Sequence, residues 1–204
     1  MRRRPPTWSR ALQPVRACYC QPSGVAFGTY LVRRTPANPL LAEPHEGAAV
    51  FNPWVKIDAK GITLIAPHTD LGQGVRSVQA ALIAEELDLE WGQFSVEPGP
   101  PSAAYFNTAS AEGSVPFLST DTSTTAEALR SAMGAVVKVL GLQITGGSST
   151  VPDSFVKLRM AGAVARETLK LAAAKQSGVP IDQLKTERGH VVLPDGRRLP
   201  YTAL

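Results

Sequence analysis

The sequence predicts a mixed α+β fold in which short strands and hairpins pack on about three helices. Apolar and polar residues alternate near residue 55, as they do in half-buried strands. Three other segments repeat their apolar residues at helical spacing, and turns containing Gly or Pro separate them. With 204 residues, 44% hydrophobic and 19% charged, the chain has an ordinary globular composition and can bury a sizeable core.

The strand predictions rest on alternation and on turn residues. Residues 54–58 alternate apolar and polar side chains, residues 59–61 supply a turn, and residues 62–66 form a second strand, which together predict a hairpin. Residues 94–97 predict a further short strand. A second hairpin is predicted over residues 190–199, because a Pro-Asp-Gly turn divides two short apolar runs.

Three helices are predicted from apolar spacing. The first covers residues 75–89, and the second covers roughly residues 122–140, where Thr124 and Glu127 have the spacing of a capping box. The third runs from about residue 150 to residue 176. Its apolar stripe consists of Phe155, Leu158, Gly162, Ala165, Leu169 and Ala172. The small residues in this stripe predict a close approach to the neighbouring element.

The N-terminal arm differs from the rest of the chain in charge. Residues 1–42 contain seven arginines and no acid, which leaves 14 of the 21 Lys and Arg against 17 Asp and Glu, a net charge of −3, for the remainder. Basic arms are typical of nucleic-acid-binding tails and of targeting segments. We do not expect nucleic-acid binding, because the remainder has no basic excess and only 6% of residues are aromatic. We therefore assign residues 1–45 to an arm and linker, and residues 46–204 to the folded domain.

Two features of this arm resemble functional signals. The apolar run at residues 24–32 has the length of a signal-peptide core and is far shorter than the ~20 residues of a membrane span. Cys18 and Cys20 form a C-x-C pair with no other Cys or His nearby. They cannot supply the four ligands of a zinc or iron–sulfur site, so an unstructured pair is the simpler interpretation.

The stronger candidate binding site is a hydroxyl-rich loop before the third helix. It consists of Thr145, Gly146, Gly147, Ser148, Ser149 and Thr150. Glycines let a ligand approach the backbone closely, and the hydroxyls can donate hydrogen bonds. Pro152 suits the first turn of the helix, Asp153 stands at capping distance from Thr150, and a helix N-terminus offers free N–H groups and partial positive charge. This pattern predicts an anion site, most naturally for phosphate; a helix-capping loop is the alternative.

The weaker candidate is the turn formed by Gly72, Gln73 and Gly74, which joins a strand to the first helix. A side-chain amide between two glycines can hydrogen-bond the edge of a heterocycle or a phosphate. The Walker lysine and the G-x-G-x-x-G spacing are both absent, so a plain β–α turn is the alternative. The nearby His68 is more typical of a structural or exposed residue than of a catalytic group, and Asp70 is equally a possible base or a carboxylate that orders the turn. No acid–His–nucleophile set is present.

Five segments together carry a family resemblance, namely residues 52–57, 67–75, 84–88, 145–150 and 158–163. They resemble the opening of the large subunit of isoquinoline 1-oxidoreductase-type enzymes, within the xanthine dehydrogenase/aldehyde oxidase superfamily. Order and spacing both fit from the first of these segments to the end of the chain. The combined pattern is specific, whereas either glycine motif alone is not.

The resemblance implies that the chain is an N-terminal fragment of a subunit that binds molybdenum-molybdopterin, often in the cytosine dinucleotide form. In that family an aldehyde or N-heterocycle is hydroxylated with water as the oxygen source, and electrons leave through a small [2Fe–2S] iron–sulfur subunit. The resemblance also implies that Gly72, Gln73 and Gly74 contact the cofactor, and that the loop from Thr145 to Thr150 holds its pterin and phosphate portion. Residues 46–204 are then part of a larger molybdenum-cofactor-binding domain.

Departures from the family pattern bear on what the chain can do. Asp70-Leu71 stands where the family usually has Glu-Met, and Ser149-Thr150 where it usually has Thr-Ser, but both changes keep the chemical type. Family members are several hundred residues long and their catalytic glutamate lies far downstream. No catalytic residue and no metal ligand are therefore assigned here, and we expect the chain to be incomplete, inactive alone and marked by exposed apolar patches.

Two alternatives remain open at the level of sequence. The first is a non-functional truncated fragment, and the second is a stand-alone module that binds a phosphate-bearing small molecule. The family's secreted members begin with a twin-arginine signal, which Arg2-Arg3-Arg4 and the apolar run at residues 24–32 faintly resemble. The location is therefore left open between the bacterial cytoplasm and the periplasm.

Overall fold

The computed structural model describes residues 24–42 and 47–204 of the chain. Helices and two small sheets make up these residues, which confirms the predicted α+β class. The arginines at positions 2–16 and the Cys18–Cys20 pair lie outside the described residues.

The segment before residue 43 contributes to the packed structure. Helix α1 (Gly24–Arg33) lies against the fourth helix of the chain, and a short 3-10 turn follows at Pro39–Leu41. Asn38 caps this turn, because its side-chain oxygen accepts a hydrogen bond from the Leu40 N–H at 3.0 Å. Leu40 is buried in a small apolar cluster, although the sequence predicts a linker here. The division of the chain at residue 45 stays a prediction.

The predicted first hairpin is confirmed, within a four-stranded sheet. Strands β1 (Ala49–Asn52), β2 (Val55–Asp58) and β3 (Gly61–Ile65) are antiparallel, and Asp58 closes the β2–β3 turn by accepting from the N–H groups of Lys60 and Gly61. The sequence does not predict β1, which lies in the Pro- and Ala-rich segment. Helix α2 (Val75–Glu86) follows β3 and leads to β4 (Phe94–Glu97), which pairs with β3 in parallel.

Three helices follow the first sheet, and two of them are long. Helices α3 (Ala109–Glu112), α4 (Thr124–Leu140) and α5 (Thr150–Ser177) run from the centre of the chain towards its end. The capping box predicted from Thr124 and Glu127 is wrong by one residue. Ser123 is the N-cap of α4, where its hydroxyl accepts from the Ala126 N–H, and Glu127 instead pairs with Arg130 at 2.8 Å.

Helices α2 and α5 form the tightest contact of the molecule. A Cβ atom on Gly162 of α5 would lie 2.5 Å from the carbonyl oxygen of Ile83 on α2, so only glycine fits there. The close approach predicted from the small residues of α5 is therefore confirmed. The ends of the predicted stripe are wrong, because Phe155 is 49% exposed whereas Ser154 and Ala173 are buried. The shared core of the two helices and the sheet includes Val55, Leu64, Ala80, Ile83, Leu87, Leu158, Ala165 and Leu169.

A second, three-stranded sheet covers the end of α5. The predicted hairpin forms as β6 (His190–Val192) and β7 (Arg198–Pro200), and an unpredicted strand, β5 (Lys185–Glu187), pairs with β6. Tyr201 anchors this sheet to the main core, because its buried hydroxyl donates to the carbonyl oxygen of Leu87 at 3.1 Å.

The outer faces of α4 and α5 are apolar and exposed, as the sequence predicts. These faces include Leu129, Met133, Val136, Leu140, Phe155, Val156, Met160, Val164 and Leu171. In the described part of the chain, no helix combines the length and the apolarity needed to cross a membrane.

Candidate functional site

The β3–α2 turn, residues 66–74, is held by its own side chains. Asp70 accepts hydrogen bonds from the backbone N–H groups of Gly72, at 2.9 Å, and Arg76, at 3.1 Å. The Gln73 amide is used in the same way, because its oxygen accepts from the Leu71 N–H and its nitrogen donates to the Thr69 carbonyl at 2.9 Å. The turn is therefore stabilised from within.

These contacts define the role of Asp70. The backbone N–H groups of Gly72 and Arg76 stabilise the carboxylate and lower the pKa of Asp70 below its ordinary value. An ionised carboxylate also suits the N-terminus of α2, where the backbone carries partial positive charge. Of the two roles open to Asp70 from sequence, base or turn-ordering carboxylate, the structure supports the second.

The α4–α5 connection contains a tight reverse turn at residues 146–149. Gly147 and Ser148 have φ angles of +57° and +55°, and the Ser149 N–H donates to the Gly146 carbonyl oxygen at 3.1 Å. Positive φ at both central residues defines a type I′ turn, which favours glycine. Ser148 adopts the left-handed region without being glycine, and such strain occurs at ligand-binding sites more than elsewhere.

Asn107 holds this turn in place through two hydrogen bonds. Asn107 is fully buried, and its amide nitrogen donates to the Ile144 carbonyl oxygen at 2.8 Å and to the Ser149 hydroxyl oxygen at 2.9 Å. The Ser149 hydroxyl in turn donates to the Gly146 carbonyl oxygen at 2.6 Å. Ser149 therefore stabilises the turn, and its hydroxyl is engaged in that role. Sequence reasoning missed Asn107, which lies in a Pro-, Gly- and Ser-rich stretch without periodicity.

The start of α5 differs from the predicted cap. Ser149 is the N-cap but makes no side-chain capping bond, and Asp153 does not pair with Thr150. Asp153 instead accepts from Thr108, through both the backbone N–H and the hydroxyl, and forms an ion pair with Lys157 at 2.7 Å. Burial lowers the pKa of Lys157, while the hydrogen bond and charge of Asp153 oppose that shift.

This start of α5 leaves backbone donors free. Within residues 24–42 and 47–204, the N–H groups of Gly147, Ser148, Thr150 and Val151 have no hydrogen-bond acceptor. Free N–H groups at a helix N-terminus, together with the helix dipole, attract anions.

The two turns meet. The backbone N–H of Thr69 donates to the Thr145 hydroxyl oxygen at 3.0 Å, and the Gln143 amide donates to the Pro67 carbonyl oxygen at 2.7 Å. Between the turns lies a cleft of about 530 Å³. Its lining consists of Leu71, Gln73, Val75, Val78, Thr145, Gly146, Ser148, Thr150 and Val151. The lining contains no charged side chain, so an anion there would be held by dipoles and hydrogen bonds.

The cleft brings together part of the residue set predicted from sequence. Gln73, Thr145, Gly146, Ser148 and Thr150 line it, whereas Gly72, Gly74, Gly147 and Ser149 do not. Those four shape the two turns instead: Gly72, Gly74 and Gly147 through positive φ, and Ser149 through its bonds to Gly146 and Asn107.

Sequence reasoning missed the apolar wall of the cleft. Leu71, Val75, Val78 and Val151 flank the two motifs and complete the lining, and Leu71 is 83% exposed. Leu71 follows Asp70 and precedes Gly72 in a loop, and an apolar residue in that position is the signal that could have indicated a binding surface.

The described parts of the chain contain no group of three or more His, Cys, Asp or Glu residues arranged to hold a metal. His68, the histidine nearest to the turns, is 3% exposed, and burial lowers its pKa.

Comparisons with known proteins identify relatives of the chain. No family model matches the chain. The chain is 30% identical over 175 residues to the beta subunit of the isoquinoline 1-oxidoreductase of Brevundimonas diminuta, an alignment covering 85% of this chain and 19% of that relative. It is also 31% identical over 137 residues to a nicotinate dehydrogenase subunit of Pseudomonas putida, covering 67% of this chain and 9% of that relative.

These two matches confirm the resemblance predicted from the sequence, and the chain belongs to the family of these oxidoreductase subunits. It spans about a fifth of the length of the first relative and about a tenth of the second.

Proposed function

We propose that this chain forms part of the molybdenum-cofactor-binding structure of a molybdenum hydroxylase. The observation that supports the proposal best is the convergence of the two glycine-bearing turns on one cleft, with a direct hydrogen bond from Thr69 to Thr145 at 3.0 Å. The family relationship points to the same class of enzyme.

The chemistry of the cleft fits a phosphorylated pterin. Free N–H groups at the start of α5 and the Thr145, Ser148 and Thr150 side chains suit a phosphate, while Val75, Val78 and Val151 suit the flat face of a ring system. The cytosine dinucleotide form is the form we propose, because its diphosphate would accept hydrogen bonds from the free N–H groups at the start of α5 and from the hydroxyl groups of the lining.

The residues of this chain would bind and orient the cofactor, not react with the substrate. The α5 N-terminus would hold the diphosphate, and the β3–α2 turn would close the opposite side of the cleft. When bound, the cofactor supplies the redox centre at which an aldehyde or N-heterocycle is hydroxylated with oxygen from water. The electrons would pass to a small [2Fe–2S] subunit, and the catalytic base would come from outside this chain.

The proposal can be tested on the 204-residue chain with cytidine diphosphate as the probe. We expect the amide NMR signals of Gly146–Val151 and of Leu71–Val75 to shift together on titration, because both turns line the cleft. Cytidine without phosphate is the matched control and should bind more weakly. Shifts confined to other regions, or none at millimolar probe, would remove the support for a dinucleotide site.

A second measurement addresses the enzyme. We expect the isolated chain to show no hydroxylase activity and to retain little molybdenum, because no residue in it is assigned a catalytic role. Turnover of an aldehyde or N-heterocycle by these 204 residues alone would contradict the proposal.

A further inference from the structure

A buried chain of polar side chains lies beneath the two turns. The Gln79 amide nitrogen is 2.8 Å from His68 Nδ1 and donates to the Ser154 hydroxyl oxygen, also at 2.8 Å. All three side chains are nearly inaccessible, with exposed fractions of 3% for His68, 1% for Gln79 and 3% for Ser154. Neither the family resemblance nor the proposed cofactor contacts assign a role to Gln79 or Ser154.

The three residues come from three different parts of the structure. His68 begins the β3–α2 turn, Gln79 lies in α2, and Ser154 lies near the start of α5. Gln79 is the central member, because both of its amide protons are used, one towards each neighbour. One side chain therefore connects the base of the first turn with the start of the helix that follows the second turn.

This network is poorly suited to stabilising the fold. His68 Nε2 and the Gln79 amide oxygen are buried and have no hydrogen-bond partner among the described residues. Because Gln79 donates to His68 Nδ1, the imidazole proton must lie on the unpartnered Nε2 when the ring is neutral. Unpartnered buried polar atoms reduce stability, and apolar side chains of the same shape would fill this space at lower cost.

Charged groups nearby do not replace these missing partners. Asp153 and Lys157 of α5 face His68, and their opposite charges act on its protonation in opposite directions. Both are already engaged, Lys157 with Asp153 and the Phe106 carbonyl oxygen, and Asp153 with Thr108. A network that leaves two buried polar atoms without partners among the described residues, and that links two binding turns, is best explained by the geometry it imposes.

We propose that Gln79 is a positioning residue that sets the spacing between the two turns of the cleft through its bonds to His68 and Ser154. This proposal rests on the proposed function, because the spacing matters only if both turns bind one ligand. A diphosphate bound at the start of α5 reaches the opposite wall only when that wall is held at the right distance.

The test uses the 204-residue chain and the variants Gln79→Leu and Ser154→Ala. The control is Ser177→Ala, which removes a hydroxyl that bonds the Ala173 carbonyl at the far end of α5. Three quantities are measured: amide chemical shifts without ligand, the midpoint of urea unfolding, and the dissociation constant for cytidine diphosphate. Ser154→Ala should shift the amide signals of residues 69–74, across the cleft, and Ser177→Ala should leave them unchanged.

Gln79→Leu should lower the unfolding midpoint, because His68 Nδ1 and the Ser154 hydroxyl lose their buried partner, and it should also weaken the binding of cytidine diphosphate by the folded fraction at least tenfold. A merely structural residue would lower the midpoint and leave the affinity of the folded fraction intact. Unmoved signals of residues 69–74 in Ser154→Ala, or unchanged affinity in a folded Gln79→Leu, would overturn the proposal. Failure of the unaltered chain to bind cytidine diphosphate would instead refute the proposed function, and the ligand-free shifts would still decide whether the network links the turns.

Discussion

The two turns of the cleft solve the same problem, joining an element to a helix through glycines, in opposite ways. The β3–α2 turn uses Asp70 and Gln73 to satisfy its own backbone groups. The α4–α5 turn is bonded instead to the buried Asn107, and four N–H groups near the start of α5 have no acceptor among the described residues. The first turn is held by its own side chains, and the second by a side chain from a distant segment.

This difference indicates how the cleft is divided. The first turn and the start of α2 contribute the apolar side chains of Leu71 and Val75 to the cleft, whereas the second turn contributes hydroxyl groups and free backbone N–H groups. An anionic ligand should therefore draw its binding energy mainly from the α5 side, and its orientation from the β3–α2 side. The two turns have a similar glycine content, so their sequences alone do not show that they contribute differently to the cleft.

The largest effect is expected from Gly162→Val, which would break the contact that holds the two turns in one cleft. The added Cβ would meet the Ile83 carbonyl oxygen at 2.5 Å, so α2 and α5 must separate. We expect the free energy of unfolding to fall by about 3 kcal/mol, the upper range for overpacking. Urea unfolding measures this, and Ala163→Val, one residue along and half-buried, is the matched control. Equal losses in both variants would contradict the tight contact.

The next largest effect is expected from a change in the α4–α5 turn alone. Gly147→Val places a β-branched residue at φ +57°, where open space surrounds the added Cβ, so the penalty comes from backbone conformation and not from a clash. We expect a loss of about 1–2 kcal/mol in stability, the usual penalty for left-handed backbone, and loss of cytidine diphosphate binding. Gly147→Asn should retain most of both, because Asn tolerates this conformation. Binding by Gly147→Val equal to that of the unaltered chain would show that the type I′ turn does not shape the site.

The sequence predicted the elements whose signals are local. The β2–β3 hairpin, helices α2, α4 and α5, and the small-residue contact of α5 all follow from spacing within a few residues, whereas helices α1 and α3 were not predicted. Strand β1 was missed because it lies in a stretch rich in Pro and Ala, and β5 because its three residues are all polar; each gains its register from a partner strand. The N-cap of α4 shifted by one residue because Ser123 and Thr124 are equally suited to the position and tertiary packing decides between them.

For the site, the sequence identified both motifs but not the direction in which their side chains point. Nothing local distinguishes the Ser148 hydroxyl, which lines the cleft, from the Ser149 hydroxyl, which bonds to Gly146 and Asn107. Burial of Asn107 depends on the distant Ile144 and Ser149. Such roles depend on contacts across 37 or more residues, which residue spacing does not report.

A smaller effect is expected from Thr145→Val, which removes the direct bond between the turns at nearly constant volume. The Thr69 N–H loses its acceptor, and we expect the stability to fall by about 1 kcal/mol, typical of one hydrogen bond. The amide signals of Thr69 and its neighbours should move and exchange faster with solvent. Thr168→Val is the control, because its hydroxyl bonds only within α5. Unchanged exchange at Thr69 would show that the turns are held together without this bond.

The smallest effect is a pH dependence of the stability, which arises from the buried His68 at the start of the β3–α2 turn. Burial lowers the pKa of His68 from 6.5, so the unfolded chain binds a proton at a higher pH than the folded chain does. The stability that His68 contributes is therefore greatest above pH 6.5, and it falls as the pH decreases from 6.5 towards the folded pKa. Urea midpoints at pH 7.5 and 5.5 would measure the slope, and His68→Gln should reduce it by removing the titrating ring.

Since Gln79 donates to His68 Nδ1, protonation would also break the bond that links the first turn to α2. Binding of cytidine diphosphate should then weaken more steeply over this pH range in the unaltered chain than in His68→Gln, where only the terminal phosphate of the probe takes up a proton. A slope that survives the substitution would assign the pH dependence to other groups and leave the two turns uncoupled from His68.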